Sequence, residues 1–94
     1  MTLVTQDIVI GVDAPAVVTL DVIGDNGCEG IAYWTRGARN FSIVLHEFWG
    51  FIYTKNFQVV DMRTKESISN KEFYLEDAEL QSIKSRFKEL ISGF

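Results

Sequence analysis

One stripe of apolar residues near the C-terminus constrains the fold more than any other feature. Leu80, Ile83, Phe87, Leu90 and Ile91 recur at helical spacing, which places them on one face of an amphipathic helix. Glu76, Asp77 and Glu79 crowd its first turn, and Lys84, Arg86 and Lys88 lie further along, the order that the helix dipole favours. Leu75 and Leu80 are spaced as a hydrophobic staple around a cap at Glu76, and Gly93 is a natural stop. A single such helix needs one apolar surface to cover. The rest of the chain must supply it as a sheet.

The preceding residues read as strands. Ile8 to Val12 is a short apolar run closed by Asp13-Ala14-Pro15, and proline suits a turn or a strand start. Ala16 to Ile23 is rich in β-branched residues, with Val18, Leu20 and Val22 alternating against Thr19 and Asp21. Gly24-Asp25-Asn26-Gly27 follows. Asn-Gly at the centre of a two-residue loop favours a type I′ turn, because both residues tolerate positive φ. That turn pairs Asp25 with Cys28, Ile23 with Gly30, Val22 with Ile31 and Leu20 with Tyr33. Val18, Leu20, Val22, Ile31 and Tyr33 then share one face, and Thr19, Asp21, Ala32 and Trp34 the other. Arg36 to Asn40 reads as a loop. Phe41 to His46 alternates again, and Gly50 marks a bend. Phe51 to Thr54 and Phe57 to Met62 read as two strands parted by a tight turn at Lys55-Asn56. Thr64 to Glu72 is polar and reads as a loop, and Phe73-Tyr74-Leu75 as a last short strand or lead-in. The expected fold is α+β: an antiparallel sheet of five or six strands with one C-terminal amphipathic helix on one face, all in a single domain over residues 1–94.

Several functions are disfavoured by composition. One cysteine, Cys28, and one histidine, His46, cannot make an internal disulfide or supply the four Cys or His ligands of a structural zinc site. No metal and no cofactor is assigned, although a hard-cation site built only from carboxylates stays open without EF-hand spacing around Asp21, Asp25, Asn26 and Gly27, and a reducing compartment, the cytoplasm, fits. Met1 to Val12 lack a basic start and a small-residue cleavage site, so no secretory signal is expected. No run approaches the ~20 apolar residues of a membrane span. His46 and Glu47 are neighbours in a strand and point to opposite faces, and Cys28 has no obvious base in sequence. No catalytic residue is therefore assigned. A small enzyme or ligand-binding domain using His46 remains as an alternative, against the plainer reading of a surface or packed histidine.

Charge and aromatic residues are unevenly placed. Residues 1–29 hold Asp7, Asp13, Asp21, Asp25 and Glu29 and no base, a charge of −5. Residues 30–65 carry +3 and residues 66–94 carry −2, within a total of −4. Eight of the twelve aromatics lie between Tyr33 and Phe57, more than one helix on one sheet readily buries. The plain readings are a solvated acidic surface and a partly covered second sheet face. The functional reading is a protein interface, since Trp and Tyr are favoured anchors and carboxylates steer basic partners. Asp21, Asp25 and Glu29 are the candidate steering groups, and Trp34, Trp49 and Tyr53 the candidate packed centre. A homodimer through the open face belongs to the same reading. Trp34 and Trp49 with Arg36 and Arg39 offer a second reading, single-stranded nucleic acid, which the net charge of −4 disfavours.

With its acidic Asp7, Asp13, Asp21, Asp25 and Glu29, its Trp34 and Trp49 region and its size, the chain resembles bacterial toxin-immunity proteins of the contact-dependent inhibition type. The resemblance implies a cytoplasmic inhibitor that binds a basic cognate toxin domain, often a nuclease, and blocks its active or substrate site. Phage-encoded inhibitors of host defence look much the same.

Overall fold

A computed structural model describes residues 2–10, 16–23, 28–68 and 76–92. Its strands are β1 (Thr2–Ile10), β2 (Ala16–Ile23), β3 (Glu29–Arg36), β4 (Arg39–Phe48), β5 (Phe51–Asp61) and the two-residue β6 (Ser67–Ile68). They lie side by side in chain order, and every neighbouring pair is antiparallel. The helix α1 (Asp77–Ile91) covers one face. The α+β class, the antiparallel open sheet and the single C-terminal helix are as the sequence predicts. The Asn26-Gly27 turn, Leu75 of the staple, the Phe73–Leu75 segment and Gly93 lie outside the described residues.

The core forms where the helical stripe meets the inward side chains of β2 to β5. Val18, Leu20 and Val22 of β2, Ala32 and Trp34 of β3, Phe41, Ile43 and Leu45 of β4, and Phe57 and Val59 of β5 are buried with Leu80, Ile83 and Phe87. Trp34 stacks on Phe41 across the β3–β4 pair, with ring centroids 5.3 Å apart and planes 3° from parallel.

Three expectations are corrected. The β2–β3 register is one residue away from the expected one: Val22 pairs with Gly30, Asp21 with Ile31 and Thr19 with Tyr33. A one-residue slip turns every side chain of a strand over. Ala32 and Trp34 therefore face the helix, and Ile31 and Tyr33 face away. The helix explains the choice. A Cβ on Gly30 would collide with the Phe87 ring and come within 2.9 Å of the Asp21 carbonyl oxygen. Only a glycine lets Phe87 settle there.

Lys55-Asn56 is not a turn between two strands. β5 runs through it, and the pairing skips from Val44–Lys55 to Ser42–Gln58. Two residues thus oppose Ile43, which makes a β-bulge. Asn56 sits at φ 55°, a conformation that asparagine tolerates better than most residues. The third correction concerns loops. Arg36 pairs with Arg39, so the expected 36–40 loop shrinks to Gly37-Ala38, and Ser67–Ile68 joins the sheet within the expected 64–72 loop.

At the start of α1, Glu79 reaches back so that the Glu76 backbone N–H donates to its Oε1 at 3.3 Å. This gives one arm of a capping box. The other oxygen, Oε2, accepts from Arg36 Nη2 at 2.9 Å. One buried carboxylate so closes the helix start and ties it to the end of β3. It also supplies a counter-charge to Arg36, which pairs with Arg39 across the strands, where like charges directly opposite each other are destabilising.

Candidate functional site: an aromatic hairpin tip

β4 and β5 are joined by two residues, Trp49 and Gly50, both with positive φ (56° and 82°), between the pair Phe48–Phe51. This is the backbone of a type I′ turn, where Asn-Gly or Gly-Gly is the usual choice. Glu47 fixes it, since Oε1 accepts from the Gly50 N–H at 2.8 Å. Tryptophan at such a position is costly, roughly 1–2 kcal/mol for a residue with a Cβ. Its ring gains no burial in return. Trp49 is 82% exposed, Phe51 66%, Phe48 55% and Tyr53 54%. Phe48 meets Trp49 edge-on at 6.1 Å between centroids. The tip is an apolar ridge of rings on a two-residue turn.

The ridge continues onto the sheet face away from the helix. In its first row Ile23, Glu29, His46 and Tyr53 lie side by side, and in the next Asp21, Ile31, Val44 and Lys55. Glu29 Oε1 lies 3.7 Å from His46 Nδ1, beyond hydrogen-bond length, and the His46 ring lies against Phe48 with centroids 6.5 Å apart. Glu29, Asp21 and Tyr53 thus share the face away from the helix, Tyr53 next to the tip, Glu29 two strands away on β3 and Asp21 three strands away on β2.

Trp34 is corrected as an anchor. It is 4% exposed and part of the core, so it cannot contact a partner. Asp25 lies outside the described residues. The residues of the nucleic-acid reading are not assembled either. Arg36 is bound to Glu79, Trp34 is interior, and Arg36 and Arg39 flank the hairpin turn at the other end of β4 from Trp49. Ten residues of strand at about 3.4 Å each separate those ends by roughly 30 Å.

The aromatic count between residues 33 and 57 pointed to this region. Phe48 and Phe51 are not among the candidates from sequence, because a bend at Gly50 does not by itself show that the turn takes two residues and leaves both flanking rings exposed. The signal was Gly50 following Trp49, with a large apolar residue on either side.

Cys28 and His46 do not form a nucleophile–base pair. The Cys28 thiol donates to Glu47 Oε2 at 3.7 Å, and Glu47 lies on the opposite face of β4 from His46. Partial desolvation, with the charge of Glu47 close by, pushes the thiol above its ordinary value, the opposite of an activated cysteine. Among the described residues no cluster of three His, Cys, Asp or Glu side chains is placed to hold a metal ion, and no helix is long and apolar enough to cross a membrane.

Comparison with protein-family models, with curated proteins and with solved structures gave no match. The reading of the site rests on its own chemistry.

Proposed function

We propose that the chain is a protein-binding module that meets its partner with the β4–β5 tip and the adjoining open sheet face. The observation that carries this is Trp49. Its backbone conformation costs the fold free energy and its ring lies in water, so folding does not account for it. Residues held in sparsely populated backbone regions cluster at active sites, ligand clamps and switch regions, and Trp is among the side chains enriched in binding hot spots. Phe48, Phe51 and Tyr53 extend the apolar contact, while Glu29 and Asp21, further across the same face, supply charges that steer a basic partner.

In biological terms we assign the module to the class it resembles. It is a cytoplasmic inhibitor of the toxin-immunity type that occludes the active or substrate site of a basic, nuclease-like toxin domain. The test is affinity capture from the native host with the parent chain and with Trp49→Asn and Tyr53→Ala. The reading expects a protein retained by the parent and lost by the variants, whose expression arrests growth unless this chain is present. Equal capture by parent and variants would remove the tip as the interface. A captured protein that does not arrest growth would remove the immunity assignment.

A further inference from the structure

The back of the aromatic tip opens on a second feature of opposite electrical character. A groove of about 300 Å³ runs between the start of β5 and the second half of α1, lined by Gly50, Phe51 and Ile52 on one side and Gln81, Lys84, Ser85 and Lys88 on the other. Lys84 and Lys88 are one helical turn apart and make no ion pair among the described residues. Arg86, by contrast, is matched by Glu89 at 2.8 Å. Like charges at i and i+4 repel on a helix by a few tenths of a kcal/mol, so an anion seated between them relieves a repulsion. The facing wall is apolar at Ile52, which is half-buried against the core, while the Phe51 side chain alternates with it and lies on the open face.

Two ammonium groups without an ion pair among the described residues, opposite an aliphatic side chain, are the complement of a carboxylate next to an apolar side chain. We infer that this groove seats an acidic segment of the partner protein, with a Glu or Asp between Lys84 and Lys88 and a neighbouring aromatic or aliphatic side chain against Ile52. The inference rests on the protein-binding reading and adds to it. The partner is two-signed, basic where it meets Glu29 and Asp21 and acidic where it wraps behind the tip.

The test uses the full chain and fluorescence anisotropy with three labelled short peptides. One alternates glutamate with phenylalanine, one glutamate with serine, and one lysine with phenylalanine. The glutamate–phenylalanine peptide is expected to bind, to weaken with added salt, and to lose about tenfold or more in affinity, equivalent to about 1.4 kcal/mol, in Lys84→Glu/Lys88→Glu. Circular dichroism of the variant checks the fold, and Lys84→Ala/Lys88→Ala replaces it if that fold is lost. The other two peptides are expected to bind at least about tenfold more weakly. No binding by the first peptide, equal binding by the lysine peptide, or undiminished binding by the lysine variants overturns the inference. Tighter binding to phosphatidylserine vesicles than to the peptide also overturns it, by making the patch a lipid surface. A dimer that dissociates on Lys84→Glu/Lys88→Glu does so by making the occupant a second copy. Capture of the native partner lost in Trp49→Asn but kept in the lysine variants overturns the groove alone and leaves the module reading standing.

Discussion

The ring of Phe87 occupies the space that a side chain on Gly30 would fill. This contact sets the height of α1 above the sheet and the register of β3 against β2. Replacing Gly30 by alanine forces the ring, the Asp21 carbonyl or both to move. Overpacking of this kind costs about 1–3 kcal/mol. Urea unfolding of Gly30→Ala is expected to show a midpoint lowered by that amount with an unchanged slope. Phe87→Leu in the same background is expected to recover part of the loss.

Trp49→Asn is expected to stabilise the protein by about 1 kcal/mol, because asparagine accepts the left-handed backbone that tryptophan resists. Thermal unfolding checks this. A drop in stability would mean that the Trp49 ring contributes to the fold and would weaken its assignment to binding. Trp49 is exposed and Trp34 buried. Acrylamide should therefore quench the parent chain strongly and Trp49→Asn weakly.

Glu79 is 7% exposed and serves two partners, the Glu76 N–H and Arg36. Glu79→Ala removes both contacts and is expected to cost about 2 kcal/mol, the combined scale of a lost cap and a charge-assisted hydrogen bond. Glu79→Gln, which keeps an acceptor in place, is expected to cost less. Arg36→Ala should remove most of the difference between them in a double-mutant cycle on unfolding free energies.

Asp61 closes the turn after β5. Its carboxylate accepts from the Arg63 N–H at 2.8 Å and the Thr64 N–H at 3.3 Å, and these bonds hold its pKa below the ordinary aspartate value. A folded-state pKa below the unfolded one gives stability that is present above the unfolded value and lost as pH falls through the folded value. The stability gap between the parent and Asp61→Ala should therefore be constant near neutrality and shrink in acid, beginning below about pH 4. A gap independent of pH would separate the turn from the ionisation.

The Cys28 thiol should react slowly with iodoacetamide at neutral pH, because its surroundings and the nearby Glu47 disfavour the thiolate. Glu47→Gln removes that charge and should speed alkylation. A rate equal to that of a free thiol would contradict the placement of the sulfur beside the carboxylate.

Particular residues mark what was legible before the structure. The helix was readable because its stripe repeats locally, and the strands because β-branched residues alternate locally. The β2–β3 register was not, because it depends on Phe87 meeting Gly30 across more than fifty residues of chain. The β5 bulge was not, because Lys55-Asn56 between two β-rich runs fits a tight turn as well as an irregularity within one strand, and a regular strand would put Tyr53 and Phe57 on one face. Asn56 absorbs the extra residue and sends them to opposite faces. Of the proposed interface, Tyr53, Trp49, Asp21 and Glu29 lie on the open face or tip. Trp34 was misplaced by the same register slip.

The turn at Trp49 and Gly50 has one more consequence. Both residues lie in the left-handed region and Glu47 fastens the loop, so the rings are held on a backbone with little freedom left to surrender. A partner would dock against a preformed ridge, with little backbone rearrangement. Its association would be marked calorimetrically by the negative heat-capacity change of apolar burial, without the entropic signature of a loop that must first be ordered.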